Sequence, residues 1–233
     1  MAKFCIHCGK KLEEGQICDC QKNQTTSNQT NDLINKLLDV FKGMFVQPMD
    51  TLKKYTTNKE FNLGIILVGI FAIATSILSL SIVKNAYSLI MGGVGYTASS
   101  FGYGFGNLNV PYLKIFFTTL VVTIALVFIY TGLLYLTNTI IFKGDKDYKK
   151  TFNLYAINTA LMSIVLLIAA IFMFVHVNLG MIILLAGLIL NLVYQIKGLK
   201  LLGVKDENKH GYIYLITTIL NCLVLFIIMK IFS

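Results

Sequence analysis

The sequence predicts an all-α integral membrane protein: five transmembrane helices, preceded by a small four-cysteine module and an amphipathic helix. Three observations carry that prediction. Hydrophobic residues make up 56% of the chain and charged residues only 13%, against about 25% charged in a soluble domain. The apolar residues gather in runs of the roughly 20 residues that a bilayer span needs. The basic residues, all 20 of them Lys, stand at the edges of those runs. A net charge of +9 spread in this way fits membrane topology, and its dispersal argues against a nucleic-acid partner.

Residues 1–20 form the cysteine module. Cys5 and Cys8 are separated by two residues, and Cys18 and Cys20 by one. Four thiols suit the tetrahedral, closed site of a structural zinc ion. A two-residue spacing lets one tight turn present both ligands, and Gly9 after Cys8 permits the left-handed backbone such a turn often needs. Gly15 allows the return between the two halves. No secretory signal precedes the module, so it is expected in the reducing cytoplasm, where disulfides are rare. The predicted ligands are therefore Cys5, Cys8, Cys18 and Cys20, the cofactor zinc, and the unit a zinc ribbon. "CDC" departs from the ribbon pattern, which usually has two intervening residues, and His7 is an alternative ligand. A closed site leaves no position for a catalytic water, so docking or sensing is the expected role.

Residues 21–31, "QKNQTTSNQTN", contain no apolar side chain and are expected to be a flexible linker. Residues 32–60 are expected to hold amphipathic and juxtamembrane helices. Asn31 or Asp32 can cap the first. Leu33, Ile34, Leu37, Leu38, Phe41, Met44 and Phe45 then recur at spacings of three and four, with Asn35, Lys36, Asp39 and Lys42 opposite. Such a helix lies on the membrane surface or packs on the ends of the spans. Pro48 suits the first turn of a second helix, and Asp50 complements its dipole.

The membrane domain is predicted over 61–233, with spans at about 61–83, 115–142, 154–175, 179–199 and 212–229. Residues 151–196 carry no charge and are too long for one span, so the polar break "HVNLG", His176 to Gly180, is read as a tight turn. Lys53, Lys54 and Lys59 precede the first span. Lys143, Lys146, Lys149 and Lys150 lie between the second and third, and Lys197, Lys200, Lys205 and Lys209 between the fourth and fifth. Five spans put all these on one side. Positive charge stays in the cytoplasm, so the amino terminus is predicted cytoplasmic and the carboxyl terminus outside the cell membrane. The opposite side carries "MGGVGYTASSFGYGFGN", 91–107, expected to be a glycine–aromatic outer loop resting on the headgroups.

No span carries an Asp, Glu or Lys near its centre, which weighs against an ion-coupled pump. No Ser–His or paired-Asp arrangement is present, His176 and His210 sit at span ends, and Cys222 stands mid-span among apolar residues. An enzyme is not expected. The polar side chains within the spans are Asn158, Asn191, Gln195 and Asn221. Asn191 and Gln195 share one helix face, which Gly187 continues, and Ala156, Ala160 and Ser163 form a small-residue stripe in span three. These residues either glue helices together or line a polar cleft among the last three spans.

Two resemblances follow. The first twenty residues resemble the minimal zinc ribbons at the front of many small bacterial membrane proteins. From about Phe41 to Phe232 the chain resembles the Yip (Ypt-interacting protein) family of five-span membrane proteins, through "FVQPMDTLKKY" before the first span, five spans with a cytoplasmic amino terminus, and a paired run of spans three and four ending in "YQIKGLKLLGV". The long glycine loop departs from the family pattern. The resemblance implies an integral membrane scaffold. Eukaryotic members are linked to small GTPases and vesicle traffic, and that role is not carried over to a chain that resembles bacterial proteins; a Lys-, Asn- and Ile-rich composition without Arg or Trp suggests an AT-rich genome.

The expected function is a non-enzymatic membrane scaffold or regulator whose cytoplasmic zinc ribbon docks a partner. Its partners would be membrane lipid and a cytoplasmic or membrane protein. The alternative is a component of a transport or export system for a neutral or lipid-like solute.

Overall fold

The computed structural model describes residues 3–4, 11–12, 19–98 and 110–232. Apart from one short antiparallel pairing, β1 (Lys3–Phe4) with β2 (Lys11–Leu12), the described chain is helical. Helices α1 (Asp19–Val46) and α2 (Pro48–Tyr55) precede five long ones: α3 (Phe61–Ala98), α4 (Tyr112–Leu136), α5 (Tyr148–Val175), α6 (Val177–Gly198) and α7 (Glu207–Phe232). All five are long and apolar enough to cross a membrane. Cys5, Cys8, Cys18 and His7 lie outside the described residues, and Cys20 falls in the first turn of α1.

Two boundaries differ from those the sequence predicts. Helix α1 takes in residues 21–31, for which a flexible linker is expected. Nucleating a helix is costly but extending it is cheap, and the amphipathic stretch that follows supplies the nucleus. Helix α3 likewise runs on to Ala98, through Met91–Ala98 of the expected outer loop. The rest of that loop, 99–107, lies outside the described residues. The break between the third and fourth spans is tighter than "HVNLG" suggests. His176 alone leaves the helical conformation, at φ −153° and ψ 118°, closing α5 and opening α6.

Helix α5 is the centre of the bundle. In its most apolar stretch 61% of residues are buried, against 11% in α4 and in α7. Lipid is as apolar as Leu, so membrane helices associate through close packing and small residues, and α5 meets its neighbours through Ala156, Ala160, Ser163, Ala169 and Ala170, all buried. Phe152 is fully buried and joins three helices, its ring centroid 5.1 Å from Phe61 of α3 and 5.3 Å from Phe128 of α4. Helix α6 lies against α5, α4 against α3, and α7 chiefly against α4.

The bundle has a Lys-rich end and an opposite end. At the opposite end Asn85 donates to the Met173 carbonyl at 3.1 Å, and the Lys84 ammonium sits 4.7 Å above the Phe174 ring centre. At the Lys-rich end α1 and α2 form a hairpin seated on the spans. Val40, Met44, Leu52 and Tyr55 join Leu63, Leu154, Leu199 and Leu202 in one buried cluster. The apolar stripe of α1 therefore divides. Leu37, Phe41 and Met44 pack on this end, while Ile34, Leu38 and Phe45 stay exposed. Pro48 opens α2 as the sequence predicts. A Cβ at Gly43 would strike the Thr51 hydroxyl, so Gly43 lets the two helices close.

Candidate functional site

Helices α3 to α7 enclose a cavity of about 420 Å³. Its polar lining comes from each of them in turn: Thr75, Tyr130, Tyr155, Asn191 with Gln195, and Tyr214. Phe71, Met162, Leu166, Leu184, Leu188 and Leu192 complete the wall. Leu188 is half exposed on the apolar outer face of α6, so the cavity reaches the surface that lipid would cover.

The polar groups hold each other. Gln195, buried in α6, donates from Nε2 to the Tyr130 hydroxyl at 3.0 Å. Asn158 donates from Nδ2 to Asn191 Oδ1 at 2.9 Å and to the Asn191 carbonyl at 3.2 Å. The Tyr130 and Tyr155 rings lie tilted with centroids 5.1 Å apart. Every lining group is neutral at pH 7: phenols, amides, a hydroxyl and apolar side chains. Such a wall can hydrogen-bond an uncharged hydroxyl, ester or amide and pack an apolar body, and it offers an ion no counter-charge.

Of the residues predicted for a polar cleft, Asn191 and Gln195 line the cavity. Asn158 braces Asn191 from α5 without lining it. Asn221, two turns beyond Tyr214 along α7, is not in the wall, and its Oδ1 is buried without a hydrogen-bond partner. The three tyrosines were not anticipated. Their signal was available: a phenol buried in a span needs a polar partner, and Tyr130, Tyr155 and Tyr214 all lie inside spans.

A second polar cluster lies at the Lys-rich end. Asn138, fully buried in the π-turn Thr137–Ile141, donates to the carbonyls of Leu202 at 3.3 Å and Asp145 at 3.4 Å. The Asp145 amide donates to the same Leu202 carbonyl at 2.8 Å, and the Asp145 carboxylate pairs with Lys150. The loop after α4 is thereby clasped to the turn after α6. That turn ends at Gly203, φ +84°, in the "LLGV" of the stretch that carries the family resemblance. At the α1–α2 hairpin, the Lys54 ammonium at 2.7 Å and the Tyr55 hydroxyl at 2.6 Å hydrogen-bond Asp39. Those two donors, Lys54 first, hold its carboxyl below the usual carboxylate range.

Five apolar membrane-length helices around an uncharged polar cavity, with a helical hairpin on the Lys-rich end, define a multi-pass helical membrane protein. The chain belongs to the Yip1 domain family: the family model matches residues 42–229, from within α1 to near the end of α7. Neither a curated relative nor a solved structure matches the chain.

Proposed function

We propose that the chain is a non-enzymatic scaffold or regulator of a bacterial cell membrane, with its Lys-rich end in the cytoplasm and its amino-terminal cysteines folded around zinc to dock a protein partner. The observation that carries this reading is the α1–α2 hairpin seated on the Lys-rich end of a Yip1 bundle. A hairpin fixed there tethers whatever precedes it to that end. The positive-inside rule supports the orientation. The pairing of Lys3–Phe4 with Lys11–Leu12 supports the zinc ribbon, because it folds the chain back across the stretch holding Cys5 and Cys8. Metal binding would supply most of the folding energy of so small a unit.

The test is co-purification of the full-length protein in mild detergent beside the Cys5→Ser, Cys8→Ser double variant, with zinc measured on both. A partner retained only with the zinc-loaded form is the expected result. Loss of zinc with the same partners retained would remove the docking role.

A second reading rests on the cavity. An uncharged polar wall of about 420 Å³ suits part of a neutral or lipid-like solute, as a transport component would need. That activity would survive loss of residues 1–30 and fail on substitution of Asn191 or Gln195, the reverse of the scaffold's behaviour.

A further inference from the structure

A separate cavity, of about 360 Å³, opens at the Lys-rich end between α2, the last turns of α6 and the start of α7. Met49, Ile196, Lys197, Lys200, Glu207 and His210 line it. We propose that this cavity binds the phosphate of an anionic phospholipid headgroup, with Lys197 as the principal cation. The inference is independent of the zinc ribbon and of the neutral cavity.

Charge is the first argument. Lys200 pairs with Glu207 at 2.6 Å, whereas no carboxylate among the described residues lies within 4.0 Å of Lys197. The wall therefore carries two ammonium groups against one carboxylate. The Lys200–Glu207 pair is exposed on both sides, and exposed pairs hold weakly, so an incoming phosphate can share Lys200. His210 is buried and donates from Nε2 to the Val204 carbonyl at 2.8 Å, which fixes its ring in the wall and leaves Nδ1 as its second polar atom.

Position is the second argument. Lys197 stands directly above an outward apolar stripe on α6: Ile182, Leu185, Ile189 and Val193, all exposed, recur at spacings of three and four up to Lys197. An acyl chain lying on this stripe would bring its phosphate to the level of Lys197. Basic pockets between membrane helices at the headgroup level bind anionic lipids by this chemistry. Free phosphate would use the same cations and gain nothing from the stripe.

The experiment uses the full chain in neutral detergent. Phosphatidylglycerol, phosphatidylcholine and inorganic phosphate are titrated separately, with bound lipid read by native mass spectrometry and stability by thermal shift. Phosphatidylglycerol is expected to bind in preference to phosphatidylcholine. Lys197→Gln should weaken it about fivefold, the effect of one basic residue at an anionic surface. Lys197→Arg should retain it, and Lys205→Gln, which changes an exposed Lys outside the cavity, should leave it unchanged. Equal losses for Lys197→Gln and Lys205→Gln, or no preference over phosphatidylcholine, would overturn the site. A shift by inorganic phosphate equal to that of phosphatidylglycerol, and abolished by Lys197→Gln, would keep the phosphate chemistry and reassign the ligand to the free anion.

Discussion

Asn158 of α5 donates from Nδ2 to Asn191 Oδ1 of α6, and the two side chains meet at 2.9 Å between helices that share no other hydrogen bond from one side chain to another among the described residues. The sequence leaves two roles open for these amides, joining helices or lining a cleft. Asn191 both lines the cavity and holds α6 to α5, so the roles coexist in one residue.

Asn191→Leu is accordingly expected to destabilise the protein, though modestly. Asn158 keeps its 3.2 Å bond to the Asn191 carbonyl and loses only the side-chain acceptor. A hydrogen bond between membrane helices contributes about 0.6 kcal/mol on average and up to about 1.7. A double-mutant cycle with Asn158→Ala and Asn191→Ala, read by unfolding in mixed detergent, should give a coupling energy in that range. Strict additivity would show that the pair does not bind the helices.

Close packing sets the cost of changing Gly180. A Cβ there would lie 2.7 Å from the Ala169 carbonyl oxygen and 2.9 Å from the Met173 nitrogen, backbone atoms that no rotamer can move. Gly180→Ala should part α5 from α6 and lower stability by about 1–3 kcal/mol, as overpacking does. Gly132 has nothing within 4 Å of the same position. Gly132→Ala should be neutral or add up to about 1 kcal/mol, since Ala is the better helix former. Thermal unfolding of the two variants side by side separates a packing effect from a general effect of losing glycine.

What the sequence makes legible here is what one helix can report. Length and hydropathy locate the spans because each must cross the same thickness of lipid, and Pro48 marks the start of α2 because a proline nitrogen carries no hydrogen to satisfy. Lys segregation gathers one end of the bundle for the same local reason. The cavity is not local. Its lining residues, Tyr130, Tyr155 and Tyr214 among them, meet only because five helices take particular rotations about their axes, and helices apolar on every side carry little periodicity to announce a rotation. Asn221 shows the same limit: it stands on the face of α7 that carries Tyr214, but two turns along the axis and outside the cavity wall. The clasp at Asn138 was hidden for a further reason: its partners are backbone carbonyls, and one of them lies 64 residues away.

Acid should loosen the α1–α2 hairpin. Hydrogen bonds from Lys54 and then Tyr55 lower the pKa of Asp39 from its ordinary 3.8. A carboxylate with a depressed folded-state pKa stabilises the fold above its unfolded value, and that contribution fades as pH falls through the folded one. The hairpin is thus expected to be firmest at neutral pH and to loosen slightly below about pH 3.8, because the pair is exposed and the buried cluster of Val40, Met44, Leu52 and Tyr55 still holds the two helices. Distances between spin labels at Asn35 and Lys53 would report it. Asp39→Asn should bring the acid-side distance distribution to neutral pH. An identical pH profile in that variant would assign the loosening to another group.

Gly203 is the position where the fold tolerates a side chain least at the Lys-rich end. Its φ of +84° is costly for any residue with a Cβ, by about 1–2 kcal/mol. A Cβ would also press on the Asp145 carboxylate and come within 3.1 Å of the Asp145 nitrogen, the atom that donates to Leu202. Gly203→Ala should therefore cost more than conformation alone, because it pushes apart the two loops that Asn138 joins. Gly203→Asn, which enters the left-handed region more easily but keeps the clash, isolates the steric part. Asn138→Ala removes the side-chain bonds without touching the turn and should cost about 1 kcal/mol. If the clasp is one unit, Gly203→Ala and Asn138→Ala combined should destabilise by less than their sum. Full additivity would mean that the turn after α6 and the loop after α4 are held independently.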